Sequence, residues 1–173
     1  MHRSPLLGLA ARLVVAAAAL FAALPAGAGG ADAGGARPFA FLVRHAEKDA
    51  AGGDDPALSP EGAARAQRLA DLLADQPIAR VYVSDTRRAR DTAAPLASRL
   101  GLPAELYDPK KLAELAALLR ERAESALVVG HSNTTDELAV ALRGESAGPM
   151  PDQEYGRLYR VDLVDGGTQI RRY

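Results

Sequence analysis

The sequence predicts an α/β fold in which a mainly parallel sheet carries helices on both faces. Short β-branched apolar runs, such as 39–43 and 127–129, alternate with amphipathic stretches along the chain. Strand–helix units in this order require right-handed crossovers, which place helices on both faces of the sheet. A polar-alternating run near the end predicts a β-hairpin at one edge. The expected architecture is therefore a three-layer sandwich with a C-terminal hairpin.

The first predicted strand, 39–43, leads into a glycine- and aspartate-rich loop at 49–55. Ser59, Pro60 and Glu61 then have the order of an N-cap, an N1 proline and a first-turn acid, so a helix should begin there and end near Pro77. Its apolar positions fall on one face at i, i+3, i+4 and i+7 spacing, which suits packing on a sheet. They are Ala66, Leu69, Ala70 and Leu73.

The remaining elements follow from the same signals. Gly101 and Pro103 are helix stop signals, and Asp165-Gly166-Gly167 is a turn sequence. The predicted elements are a strand at 80–83, a helix at 85–100, a short strand at 104–107, a helix at 112–122, a strand at 125–129, a helix from 132 to about 143 and the hairpin at 159–173.

Composition limits the class of protein. A length of 173 residues with 48% hydrophobic content fits a single core, and a net charge of −1 gives no overall field that would recruit nucleic acid. The chain has no cysteine, which excludes disulfides, thiolate catalysis and cysteine-ligated zinc. The uncharged apolar run 13–24, followed by Ala26-Gly27-Ala28, resembles a secretory signal peptide. We therefore predict a signal peptide at 1–28, a flexible lead-in at 29–37 and one domain at 38–173.

Apart from the leader, the chain has two histidines, and each directly follows an apolar strand. His45 comes after Arg44, and His131 comes before Ser132. The carboxyl ends of parallel strands meet at the crevice where α/β sheets bind ligands, so both imidazoles should lie there with Arg44 and Arg88. Two guanidiniums in one crevice favour an anion of more than one charge, and their geometry suits phosphate oxygens.

Four ordered motifs resemble those of the histidine phosphatase superfamily, the phosphoglycerate mutase-like fold. Arg44-His45-Ala46-Glu47 is similar to that family's Arg-His-Gly-Glu signature, with alanine in place of glycine. The other three are Leu58-Ser59-Pro60-Glu61-Gly62, the segment from Ser84 through Arg88-Ala89 to Thr92-Ala93, and Val128-Val129-Gly130-His131. The resemblance covers the chain from about Phe39 onward and implies a small branch-1 phosphatase.

The resemblance implies a role for each matching residue. His45 would be the nucleophile that forms a phosphohistidine, and Arg44, Arg88 and His131 would hold the phosphoryl oxygens, with Ser132 as a further binding residue. No metal and no cofactor would be needed. The general acid that protonates the leaving group is not fixed by the motifs; Asp108, Glu105 and Glu47 are the candidates.

Three further features carry weaker signals. Tyr155 could line the mouth of the pocket, although edge packing explains it as well. Asp49, Asp54 and Asp55 do not have the calcium-loop spacing and are expected to form a flexible rim. A metal site built from the histidines is disfavoured because the neighbouring arginines would repel a divalent cation.

The sequence thus predicts an exported, metal-independent phosphatase that hydrolyses phosphomonoesters through a phosphohistidine, in the periplasm or outside the cell. Two alternatives remain: a phosphohistidine-protein phosphatase, and a phosphate-ligand binding protein of the same fold without efficient turnover. The expected partner is a phosphorylated small molecule or phosphoprotein substrate. We expect a monomer with no nucleic-acid partner and no stable membrane association after cleavage.

Overall fold

The computed structural model describes residues 37–173, and the predicted signal peptide lies outside the described residues, as does the lead-in up to residue 36. Six strands and four helices alternate along this part of the chain. They are β1 (Phe39–Arg44), α1 (Pro60–Leu73), β2 (Arg80–Ser84), α2 (Arg87–Leu100), β3 (Ala104–Tyr107), α3 (Leu112–Arg122), β4 (Ala126–Gly130), α4 (Thr134–Ala141), β5 (Arg157–Asp162) and β6 (Thr168–Arg172).

The strands form one sheet in the order β3-β2-β4-β1-β5-β6. The first four of these pair in parallel, whereas β5 and β6 are antiparallel and form the hairpin beside β1. This arrangement confirms the predicted mainly parallel sheet with a C-terminal hairpin at one edge. Because Arg44 lies opposite Gly130 in the β1–β4 pair, the residues that follow these two strands are neighbours.

Helices cover both faces of the sheet, as the three-layer prediction requires. One core cluster packs α1 and α2 against residues such as Phe41 and Val43, and the other packs α3 and α4 against residues such as Leu42 and Tyr159. The central strands β1 and β4 are buried along their whole length, because each has helices on both sides. This burial makes the strand ends a rigid base for the polar residues that follow them.

The helix boundaries follow local capping chemistry. Ser59 Oγ accepts a hydrogen bond from the Gly62 N–H at 3.1 Å, which confirms the predicted start of α1. Thr86 is the N-cap of α2, so this helix begins two residues later than the sequence suggested. Gly101, at φ 66°, ends α2 in the left-handed conformation that glycine adopts without strain. None of the helices among the described residues is long and apolar enough to span a membrane.

Candidate active site

The carboxyl ends of three adjacent strands bring the predicted site residues together. Arg44 and His45 end β1, His131 directly follows β4, and Ser84 ends β2. The imidazole rings of His45 and His131 are 5.4 Å apart between centroids and meet edge to face. The sheet order therefore places both histidines in one crevice, as the strand-end argument predicts.

His45 is held as a neutral imidazole with a free Nε2. Its Nδ1 lies 2.8 Å from the Ala46 carbonyl oxygen, and because a carbonyl only accepts, Nδ1 carries the proton. Burial lowers the pKa of His45 to about 4; the Ala46 hydrogen bond opposes this shift, and Arg88, His131 and Arg44 reinforce it. The Nε2 lone pair is thus available for nucleophilic attack at neutral pH.

Two backbone contacts fix the position of the His45 segment. The His45 N–H donates to the Gly130 carbonyl at 2.9 Å, which extends the β1–β4 pairing by one residue. The Ala46 N–H donates to Thr92 Oγ1 at 2.9 Å, and the Thr92 hydroxyl donates to the Arg88 carbonyl at 2.7 Å. The nucleophile segment and the first turn of α2, which carries Arg88, are therefore joined through one buried threonine.

His131 is positioned by a buried serine. Ser84 Oγ, which is completely buried, lies 2.9 Å from His131 Nε2. Burial lowers the pKa of His131 to about 4, and Arg88 and Arg44 lower it further. A neutral His131 that accepts the Ser84 hydroxyl proton at Nε2 keeps a proton on Nδ1, which can then be donated to an anion.

Arg44 is 7% exposed and is held by the loop before β5. Its Nη1 donates to the carbonyl oxygens of Pro151, Asp152 and Glu154 at 3.0–3.1 Å. The Tyr155 ring packs against the guanidinium, with 4.2 Å between Cζ and the ring centroid, and lies 6.2 Å from the His45 ring. Tyr155 therefore borders the site, as the sequence suggested it could.

Arg88 reaches the crevice from the first turn of α2 and is 19% exposed in its side chain. Its neighbours Arg87 and Arg90 are 63% and 46% exposed and pair with acids on the surface. The Nε atoms of both Arg88 and Arg44 are buried without a hydrogen-bond partner among the described residues. Since buried donors are nearly always paired, two such atoms at one crevice indicate a site built for an acceptor-rich group.

Glu47 turns its carboxylate toward α1 instead of the histidines. Arg65 Nε lies 2.8 and 2.9 Å from its two oxygens, and Arg65 Nη2 lies 2.6 Å from Oε1. Burial raises the pKa of Glu47, but the hydrogen bonds from Arg65 outweigh burial and hold the pKa below its ordinary value. The Glu47 carboxylate is thus bound to Arg65 on α1 and turned away from the histidines, which does not favour it as the general acid.

The other two candidate acids are engaged elsewhere. Asp108 is exposed, and its Oδ1 accepts the Lys110 N–H at 2.9 Å in a turn before α3. Glu105 forms salt bridges with Arg80 at 3.3 Å and Arg122 at 2.8 Å. Within residues 37–173, none of these hydrogen bonds or salt bridges connects either carboxylate to the histidines, so the structure does not favour these two candidates.

Ser132 lies beside the crevice and lines a neighbouring cavity of about 360 Å³ together with Asp136 and Met150. The His131 N–H donates to Thr134 Oγ1 at 2.8 Å, so this amide is occupied and is not an anion donor. Among the described residues, no three histidine, aspartate or glutamate side chains are grouped as a metal site would require.

The fold and the residues at the strand ends can be compared with known proteins. Residues 40–117 match the family model of the histidine phosphatase superfamily, branch 1. This part of the chain is similar to that superfamily. The matched segment includes His45 and Arg88, the residues on which the resemblance most depends.

Solved structures of the family share this fold. The protein histidine phosphatase SixA, solved as a complex with tungstate, is 25% identical with a TM-score of 0.60, over 77% of this chain and 94% of SixA. The alpha-ribazole phosphatase from Shigella flexneri is 19% identical with a TM-score of 0.61, over 78% of this chain and 95% of that one. The second similarity concerns the fold alone.

A curated relative is similar over a shorter segment. Uncharacterized protein Rv0525 of Mycobacterium tuberculosis is 50% identical over 48 residues, which are 28% of this chain and 24% of that protein. The family match and the similarity to SixA together support phosphatase activity for this chain.

The sequence alone did not reveal the partners that hold the site residues. The carbonyls around Arg44 and the Glu47–Arg65 pair bring together positions far apart in the chain. One sequence signal for these partners was Thr92, a polar residue in the motif that contains Arg88. The structure shows that it is buried.

Proposed function

We propose that this protein is an exported, metal-independent phosphatase that hydrolyses phosphomonoesters through a phosphohistidine on His45. One observation carries the proposal: the neutral His45, with its proton on Nδ1, lies beside two arginines whose buried Nε donors each have no partner within residues 37–173. This combination suits a nucleophile facing a dianionic phosphoryl group.

In the first step, His45 Nε2 attacks phosphorus in line with the ester oxygen. A nitrogen–phosphorus bond forms while the ester bond breaks, and its electron pair passes to the leaving oxygen, which a general acid protonates so that it leaves as the alcohol. Water then attacks the phosphohistidine and releases inorganic phosphate, which splits one difficult displacement into two. Arg44 and Arg88 neutralise charge on the equatorial oxygens, and His131 donates from Nδ1.

The first experiment is hydrolysis of an aryl phosphate by the full chain, with and without a chelator, beside His45→Ala. We expect turnover that resists the chelator and falls to background in the variant. Wild-type protein quenched in alkaline denaturant should carry a base-stable, acid-labile phosphate. Loss of turnover with the chelator would refute metal independence, and an active His45→Ala protein would refute the nucleophile. Binding of vanadate without turnover would identify the phosphate-binding alternative.

A phosphohistidine-protein phosphatase is the second candidate. The similarity to SixA, described as a protein histidine phosphatase, favours it because it covers 94% of that chain. A higher kcat/KM on a phosphohistidine-labelled protein than on aryl phosphate would select this function.

Export rests on the leader sequence. The uncharged run at 13–24 and the small residues at 26–28 support cleavage near Ala28. Expression of the full chain, followed by N-terminal sequencing of the protein outside the cytoplasm, should give a start near Gly29. An intact N-terminus in the cytoplasmic fraction would refute export.

A further inference from the structure

One carboxylate contacts Arg88, one of the two arginines of the crevice. Asp55 Oδ1 lies 3.6 Å from Arg88 Nη1, and the side chain is half exposed. Within residues 37–173, Arg44 forms no salt bridge and this is the one salt bridge of Arg88. Asp55 is thus the acid that the structure places against the proposed phosphoryl-binding groups, in a loop expected to be only a flexible rim.

The loop that carries Asp55 is closed and anchored. Lys48 and Leu58 form an antiparallel bridge at its base, and the Asp49 N–H donates to the Ala57 carbonyl at 2.9 Å. Pro56, directly after Asp55, is buried. These contacts hold the loop against the domain.

The Asp55 carboxylate is also fixed in direction. Both of its oxygens accept the Arg87 N–H, at 2.9 and 3.0 Å, at the first residue of α2. Asp54 is exposed as well but has no hydrogen bond or salt bridge with any described residue. Of these two adjacent aspartates, only Asp55 contacts an arginine of the crevice.

We propose that Asp55 is the general acid that protonates the leaving group, an assignment that rests on the proposed function. As the bond between His45 Nε2 and phosphorus forms, the ester bond breaks and its electron pair passes to the leaving oxygen. The proton on the Asp55 carboxyl transfers to that oxygen, which leaves as an alcohol. In the second step, the Asp55 carboxylate takes a proton from the attacking water as the nitrogen–phosphorus bond breaks, and the enzyme is restored.

A different role would predict a different pattern of loss. If Asp55 only positioned Arg88, its removal would weaken every substrate equally, because all substrates share the phosphoryl group. A general acid acts on the leaving oxygen, so its removal matters most for alcohols that leave poorly. General acid catalysis contributes typically ~100- to 10,000-fold, whereas a nitrophenolate leaves without a proton.

The test is a leaving-group series with Asp55→Asn, using Asp54→Asn as the matched control. Substrates run from dinitrophenyl phosphate through phenyl phosphate to a simple alkyl phosphate. We expect Asp55→Asn to lose about 100-fold or more of kcat/KM on the alkyl ester and little on the dinitrophenyl ester. Asp54→Asn should match the wild type throughout. Retained turnover of the dinitrophenyl ester shows within the same series that the variant is folded.

Two results would overturn the assignment while leaving the proposed function intact. One is an equal loss on all substrates, which indicates positioning of Arg88; the other is no loss on the alkyl ester. In both cases the wild type still hydrolyses esters and His45→Ala does not. If the wild type hydrolyses none of the esters, the phosphomonoesterase function and the role of Asp55 fall together.

Discussion

Acid should destabilise this protein through His45 as the pH falls below about 6.5. The pKa of His45 is lowered by burial from 6.5 to about 4, so the unfolded chain takes up this proton first as the pH falls. The stability that neutral His45 provides is complete above about pH 6.5 and is lost as the pH falls toward about 4. The difference corresponds to about 3 kcal/mol in the free energy of unfolding.

The magnitude follows from the surroundings of the ring. His45 is 4% exposed, and Arg88 and Arg44 disfavour a positive charge at the same point. His131 acts in the same direction, but it is more exposed and adds less than its pKa alone implies. Glu47, with a pKa below 4.5, loses its contribution only at lower pH. The histidines therefore dominate between about pH 6.5 and 4.5.

The assay is urea denaturation of the full chain at constant ionic strength in buffers without phosphate. The free energy of unfolding should fall across this range in the wild type, and the fall should be smaller in His45→Gln, by up to about 3 kcal/mol at the acid end. Direct titration of the His45 ring by NMR gives an independent value. A variant with the same pH dependence as the wild type, or a ring that titrates near 6.5, would refute the reasoning.

Three other predictions follow from single contacts. Arg65→Ala removes the partner of a nearly buried Glu47 and should lower the free energy of unfolding by about 3–5 kcal/mol in urea denaturation. A loss below about 1 kcal/mol would mean that this pair behaves like an exposed one. Ser84→Ala leaves His131 Nε2 without its hydroxyl partner and should weaken inorganic phosphate binding about tenfold, with a changed ring tautomer by NMR; unchanged binding and tautomer would contradict the role of Ser84. In Gly62→Ala, the added Cβ would lie 2.1 Å from the Glu47 carbonyl oxygen. This backbone clash should outweigh the gain of about 1 kcal/mol in helix propensity and lower the melting temperature, whereas a rise would show that α1 can shift.

The sheet and helices could be predicted because each signal is local. Ser59 caps α1 through a hydrogen bond three residues away, and Gly101 ends α2 with its own backbone conformation. The two histidines could be placed together because parallel strands end at the same edge. For these features the interacting groups are either close in sequence or related by the sheet itself.

The environment of the site residues could not be predicted in the same way. Asp55 reaches α2 because a bridge at Lys48 and Leu58 closes its loop, and no pattern in the loop sequence indicates that closure. Arg44 is held by backbone carbonyls more than a hundred residues away in the chain. Every residue has a backbone carbonyl, so the residue types there do not indicate this contact. Strand order alone favoured Asp108 and Glu105 as candidate acids, but β3 is an edge strand that β2 and β4 separate from β1.

Burial and the charges of the site together explain why its histidines are neutral. Arg44 and Arg88 place two positive charges in a crevice where one carboxylate, Asp55, forms a salt bridge with Arg88 among the described residues. A protonated imidazole would add a third positive charge to a buried site. Burial, reinforced by Arg88 and Arg44, therefore lowers the pKa of both rings to about 4, and both are neutral at neutral pH. The same positive charge that removes the proton from His45 Nε2 attracts the phosphoryl group that Nε2 attacks. Nucleophile activation and anion binding are therefore two effects of one arrangement, and neither arginine can be neutralised without weakening both.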